Sequence, residues 1–377
     1  MGADTSDTLI FLVVVGARFL VPLLIPRFPL PAIVASLVID AADQTIFDRF
    51  TDIDLANYQS YDKALDIYYL TIAYLSVIRN WTNGFAVEVA RFLWYYRLVG
   101  VVLFELLGDR WLLFVFPNTF EYYFIAYEAI RTGWDPRRLS KRTIIAIAAF
   151  IWIFIKLPQE WWIHIAQLDF TDFVKETMFG MESDTPWLEA FGNRPALALA
   201  LAVAIAAIAV GVAYFWRRRP TQDWSLRFNV DKPVPVVELD DADRTVPQLR
   251  WPTFEKIALI TLVSIIFSQM LGIGASNLQL LSATALVVGV NAGLSVWLAR
   301  RGSGWRSLGV EFVALAAINA TLLGIFASVV ADGQVNRAAT LFFGLLLTLI
   351  IVMFDRFRAV RQVRLGPLRP RGPAAPA

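Results

Sequence analysis

Apolar runs close to the roughly 20 residues that a helix needs to cross a bilayer recur along this chain, separated by short polar or charged connections. They fall at Leu9 to Ile25, Pro31 to Phe47, Leu65 to Trp81, Phe85 to Leu107, Trp111 to Ile130, Thr143 to Ile165, Ala196 to Trp216, Phe254 to Ile273, Leu278 to Leu298, Val310 to Val330 and Ala338 to Phe357. The expected fold is an all-α polytopic membrane protein of about 11 transmembrane helices. Two interruptions divide it. Residues 1–195 read as a polar-core transmembrane module that ends in an acidic outer loop, and residues 196–216 as a connecting helix. Residues 217–252 read as a proline-rich cytoplasmic linker, 253–357 as a supporting module of four helices, and 358–377 as an arginine- and proline-rich cytoplasmic tail.

Lysines and arginines concentrate in cytoplasmic loops of membrane proteins. Arg137, Arg138, Lys141 and Arg142 put the fifth connection inside, and Arg217 to Arg219, Arg300, Arg301, Arg306, Arg356, Arg358, Arg361 and Arg364 mark three more inner ends. The acidic second and sixth connections read as outside. An odd number of spans then places the N-terminus outside and the C-terminus in the cytoplasm, in a multi-pass protein of the plasma membrane. The head, Met1 to Thr8, is acidic and no small-residue cleavage pattern follows the first apolar run, so a removable signal peptide is not expected.

Composition narrows the chemistry. Hydrophobic residues make up 57% of the chain and charged ones 18%, against about 25% in an ordinary soluble domain. The formal net charge of +2 forms no basic face, so nucleic acid is not an expected partner. Without cysteine there is no disulfide, thiolate metal site or cysteine nucleophile, and the single histidine, His164, excludes sites built on several imidazoles. No metal or cofactor is expected.

The charges that remain lie inside membrane-length segments of the first half, where each costs at least about 2.5–3.5 kcal/mol. Counting about 1.5 Å per residue from each helix end brings Arg18, Asp40, Arg97, Glu121 and Lys156 to mid-depth on five different helices. An outer polar set comprises Asp43, Gln44, Asp62, Asp66, Glu105, Glu160 and His164, and an inner set Arg91 and Glu128. Two readings stand side by side: ion pairs that pin helices together, or a polar site in a cavity between them.

Local patterns add detail. Ser36, Asp40, Asp43 and Gln44 make one face of the second helix polar. Asp62 and Asp66 share a face at i and i+4, where like charges repel; such a pair can bind a cation or work with protons, and the plainer reading, acids solvated at a helix start, is preferred. Pro117-Asn118-Thr119 interrupts the fifth apolar run just before Glu121. A broken helix beside a carboxylate makes an ion or polar-ligand site, while the preferred reading is a kink or the true start of the helix. Lys156, Glu160 and His164 recur every fourth residue on the sixth helix, around Pro158, with a weak signal for metal. Trp94, Tyr95, Tyr96, Tyr122, Tyr123 and Tyr127 are read as core packing. Gly289 and Gly293, with Asn291, Asn319 and Gln269, give the last helices a packing vocabulary that suits a support or a homo-oligomer surface.

Three functions follow as expectations. The first is a transporter or permease that moves an unknown small solute through the polar interior, gated by protonation of Asp40, Glu121 or Glu160, with membrane lipids around it. The second is a membrane enzyme acting on a lipid-linked substrate. The stretch Asp52 to Tyr69, DIDLANYQSYDKALDIYY, resembles the acidic first outer loop of multi-spanning lipid-sugar glycosyltransferases, and that resemblance implies Asp62 or Asp66 as base or metal ligand. It covers under twenty residues, and two helices precede the loop here where that family has one. The third is a structural or assembly protein.

Overall fold

The computed structural model describes residues 5–51, 55–168, 170–182, 185–218, 251–270, 315–321 and 337–365, with positions 286, 289, 290 and 313. Among these residues all regular structure is helical, with no strand. The expected linker, the tail and most of the spans expected at 278–298 and 310–330 lie outside the described residues.

The helices begin and end for local reasons. α1 (Thr5–Leu20) carries Asp7 in its first turn and runs into a 3-10 turn, Val21–Leu24, containing Pro22. α2 (Pro29–Phe50) opens on a proline, whose missing amide hydrogen costs nothing in a first turn. α3 (Leu55–Asn80) has 26 residues, about 39 Å. α4 (Gly84–Leu107) starts where Asn83 accepts from the amide of Ala86 and stops at Gly108, whose φ of 71° is the left-handed conformation glycine adopts without strain.

The fifth expected span is not one helix. Proline donates no amide hydrogen and disfavours helical geometry in the residue before it, so α5 (Trp111–Val115) ends ahead of Pro117 and α6 (Thr119–Arg131) begins after it. α7 (Lys141–Ile165) is capped by Ser140, which accepts from the amide of Thr143. Beyond a short helical stretch, Phe170–Phe173 and Val174–Phe179, come α8 (Trp187–Asn193), α9 (Pro195–Arg218), α10 (Trp251–Met270) and α11 (Arg337–Leu365).

α3 is the central element. From Leu65 to Ile78 its residues are buried on every side apart from the partly exposed Asp66, as expected of a helix apolar all round. α1, α2, α4, α6, α10 and α11 pack against it. Leu259, Ile260, Val263, Phe267, Leu346, Ile350 and Phe354 of the second half thus share one core with Tyr68, Tyr74, Trp81, Trp94 and Phe124 of the first. Asn319 donates to Thr348 at 2.8 Å, a buried bond tying residues 315–321 to α11.

Among the described residues, three helical segments are long and apolar enough to cross a membrane: Asp7–Leu24, Lys141–Ile165 and Pro195–Tyr214. The third has none of its apolar stretch buried against protein, with Leu199, Ile205, Ile208 and Val210 open on its sides. Such surface points to membrane association. The described residues do not set out eleven clear spans, because α6 has only 13 residues and α2, α3 and α4 carry charges along their length.

Candidate functional site

Two polar clusters meet on α3. Arg18, in the last turn of α1, is buried, and its guanidinium pairs with Asp40 and Asp43 of α2 and, at 2.6 Å, with Asp66 of α3. Asp43 is fully buried, whereas the side chains of Asp40 and Asp66 keep 27% and 39% exposure. Asp66 therefore lies about three turns into α3, ion-paired and still partly solvated, and not at the helix start expected from the sequence. The reason is that α3 starts at Leu55, about three turns before the apolar run does. Ser36 folds its hydroxyl back onto the carbonyl of Ala32.

The second cluster lies at the break between α5 and α6. Arg97 of α4 donates to the carbonyl of Phe116 at 3.0 Å, and Tyr96 donates to that of Val115 at 2.9 Å. Gly100 leaves room for Phe116: a Cβ there would stand 2.1 Å from the Phe116 Cβ. Glu121, in the first turn of α6 where the helix dipole favours a carboxylate, accepts from the Tyr69 hydroxyl at 2.6 Å and from Asn118 Nδ2 at 2.8 Å.

α7 faces this break with Lys156, Glu160 and His164. Pro158 cannot donate to the ladder, and the helix widens to π geometry over Ile151–Lys156 and again over Trp161–Ile165. Glu160 accepts from the backbone amide of Asn118 at 3.0 Å, and His164 Nε2 stands 3.0 Å from its other oxygen. Lys156 Nζ stands 4.0 Å from Glu121 and 3.9 Å from the centroid of the Tyr122 ring.

Asp66 and Tyr69 are three apart on α3, one turn, so this helix holds Arg18 through the first and Glu121 through the second. Asp40 and Arg97 lie within Coulombic reach of Glu121. One turn of α3 thus links the Arg18 ion pairs to Glu121, which faces Lys156. Comparison with protein-family models, curated proteins and solved structures gives no match.

The outer set is shared between the clusters: Asp43 and Asp66 belong with Arg18, and Glu160 and His164 with the break. Glu105 is half-buried in the last turn of α4, while the side chains of Gln44 and Asp62 lie outside the described residues. Among the described residues no three His, Asp or Glu side chains gather as metal ligands would.

Other buried charges work as fasteners. Glu128 accepts from Arg131 at 2.6 and 2.7 Å and from Trp81 Nε1 at 2.6 Å, and Trp81 stacks on Tyr127 at 3.8 Å. Arg361 of α11 donates to the carbonyl of Trp81 at 3.1 Å. Glu255, at the start of α10, takes the Tyr74 hydroxyl and, at 3.0 Å, Arg91 Nε, and Lys256 pairs with Asp355 at 2.6 Å. Sequence reasoning missed Glu255, Tyr74, Trp81 and Arg131 as polar partners. The available signal for Glu255 was a carboxylate in the first turn of an apolar run. Of the aromatic group, Trp94, Tyr123 and Tyr127 are buried in the core.

The connection between α6 and α7 carries one further tuned group. Asp135 accepts from the amide and guanidinium of Arg137. These hydrogen bonds hold its carboxyl below the ordinary carboxylate range.

Proposed function

We propose that the protein is an integral membrane transporter or permease whose solute site is the break between α5 and α6, faced by Lys156, Glu121, Glu160 and Arg97. The observation that carries the reading is the state of Lys156. It is 4% exposed, yet its ammonium stands 4.0 Å from the Glu121 carboxylate, beyond hydrogen-bond reach, and 3.9 Å from the centroid of the Tyr122 ring. Asn118 Oδ1, Thr119 Oγ1 and Gln159 Oε1, on the same break and the facing turn of α7, are also buried without partners. Each buried unsatisfied group costs about 1–3 kcal/mol. A cluster kept only to fasten helices is expected to resemble Glu128 and Arg131, whose charges touch at 2.6 Å although Arg131 Nε and the Tyr127 hydroxyl there are also without partners. A site that exchanges ligands holds polar groups in reserve, and a discontinuous helix supplies them.

In this reading the three apolar helices belong to a multi-pass plasma-membrane protein of about 11 spans, N-terminus outside and C-terminus cytoplasmic. Lipids cover α9, and the C-terminal helices give the oligomer or partner surface.

The chain has no cysteine, so each introduced thiol is unique. Thr119→Cys and Gln159→Cys, in sealed vesicles of either orientation, are treated with a membrane-impermeant thiol reagent. Transport expects modification from both sides. Modification from the outer side alone favours the enzyme acting on a lipid-linked substrate, and protection from both sides in a folded variant favours the structural protein; either result overturns the transport reading. Arg137→Cys modified from the outside would refute the proposed orientation.

A further inference from the structure

The 4.0 Å between Lys156 Nζ and Glu121 Oε2 is too long for a direct hydrogen bond, and a slight widening would admit one bridging water between them. A buried water needs two to four polar partners. Asn118 Oδ1 and Thr119 Oγ1, at the start of the helix that carries Glu121, are buried and unpartnered, and Gln159 Oε1 is in the same state one turn from Lys156 on α7. Four residues beyond Lys156, the Glu160 carboxylate meets His164, whose side chain is 21% exposed against 6% for Glu160. The cluster therefore holds two acid–base pairs, one sealed and one in touch with the surface, on a helix turned to π geometry beside both.

We propose that Glu121, Lys156, Glu160 and His164 form a proton-transfer unit, so that the ion the protein moves, or is driven by, is H⁺. This deepens the transport reading and rests on it. In the sealed pair the N–H bond of the Lys156 ammonium breaks and nitrogen keeps the electron pair. The proton passes to the bridging water, which gives one of its own to Glu121 Oε2. The pair goes from ammonium and carboxylate to amine and carboxylic acid with no change in total charge. In the outer pair the imidazolium of His164 donates from Nε2 to Glu160 Oε2 across 3.0 Å. Glu160 then gives this proton to the neutral Lys156 amine one turn away, restoring ammonium and carboxylate. Glu121 keeps the added proton, and His164 regains its own from the surface. Loading adds one proton to the four groups and unloading removes it, with no oxidant or reductant. The charged and titratable groups around them are Arg18 on α1, Asp40 on α2, Asp66 and Tyr69 on α3, Arg97 on α4 and Tyr122 on α6. Arg97 acts electrostatically on all three of Glu121, Lys156 and Glu160.

The test separates proton transfer from ion pairing with Lys156→Arg. Arginine keeps the positive charge but does not release its proton, so a merely structural lysine is replaced without loss. Full-length protein in phosphatidylcholine vesicles on a solid-supported membrane, with no solute added, is given an acid jump. Wild type is expected to displace charge, and Lys156→Arg and Glu121→Gln to displace roughly a tenth as much or less. His164→Gln is expected to slow the displacement without abolishing it. Each variant is first checked as a monodisperse species, and infrared spectra are recorded through the same pH range. A carboxylic-acid band that appears on acidification should be missing in Glu121→Gln. Wild-type charge displacement in Lys156→Arg, or no displacement in wild type, overturns the inference. Two-sided thiol access with no displaced charge removes the proton and leaves the transport reading standing, while displaced charge with one-sided access removes the transport reading.

Discussion

Gly100→Ala isolates the contact that holds the helix break in place. The added Cβ would stand 2.1 Å from Cβ and 2.6 Å from Cγ of Phe116, and ordinary contact begins at 3.4 Å. Relief therefore needs about 1.3 Å of movement. Phe116 meets Gly100 through its Cβ, which is fixed to the backbone, so rotating the ring does not resolve the clash. The carbonyl of Phe116 is the acceptor for Arg97 at 3.0 Å, and moving it by that distance breaks the bond. A hydrogen bond to a charged group is worth about 1.5–3 kcal/mol, and overpacking a tight core costs about 1–3 kcal/mol. The combined cost is roughly 2.5–6 kcal/mol. By the shift typical of larger domains, this lowers the melting temperature on the order of 10 °C. Intrinsic tryptophan fluorescence during heating in detergent reads it directly, since Trp81 and Trp94 are buried in the same core. A Gly100→Ala protein that melts with wild type would refute the close approach of α4 to the break. Thiol access at Thr119→Cys, measured in the Gly100→Ala background, should rise as the break loosens.

Glu128→Ala removes the acceptor shared by Arg131 and Trp81, leaving Arg131 at 3% exposure with an uncompensated charge. The expected loss is about 3–5 kcal/mol, seen as lower thermal stability and yield, and a near-wild-type protein would contradict the pairing. Asp135 gives a pH dependence whose sign follows from its lowered folded-state pKa. Its stabilisation is present above the ordinary carboxylate pKa of about 3.9 and is lost as pH falls through the folded value. The melting-temperature gap between wild type and Asp135→Asn should stay constant near neutrality and shrink on acidification; a gap that widens would reverse the assignment.

How much of this was legible in the sequence differs from element to element. The apolar runs that became α4 and α7 are readable to within a few residues, because the apolar stretch and the helix coincide there, and the structure shows Asn83, Gly108 and Ser140 at their ends. The fifth run reads as one span because hydropathy averages across Pro117. Only the backbone at Phe116 and Asn118 separates a break from a kink. Lys156, Glu160 and His164 were placed on one face by their spacing alone. That Glu160 reaches the amide of Asn118 depends on two helices 42 residues apart approaching each other, which no local pattern encodes.

The sequence by itself determined that the protein is helical, that apolar runs of membrane length occur in it, and that costly charges concentrate in its first half. These are properties of single segments, set by side-chain transfer energies and by the 3.6-residue period. Tertiary structure decided which charges touch. It divided the buried set between fasteners such as Glu128 with Arg131 and a loosely held group around Lys156, and it brought Glu255 from the second half against Tyr74 and Arg91. The physical reason is that pairing energy depends on separations of a few ångströms between residues distant in the chain, and those separations exist only once α3 has gathered its neighbours around it.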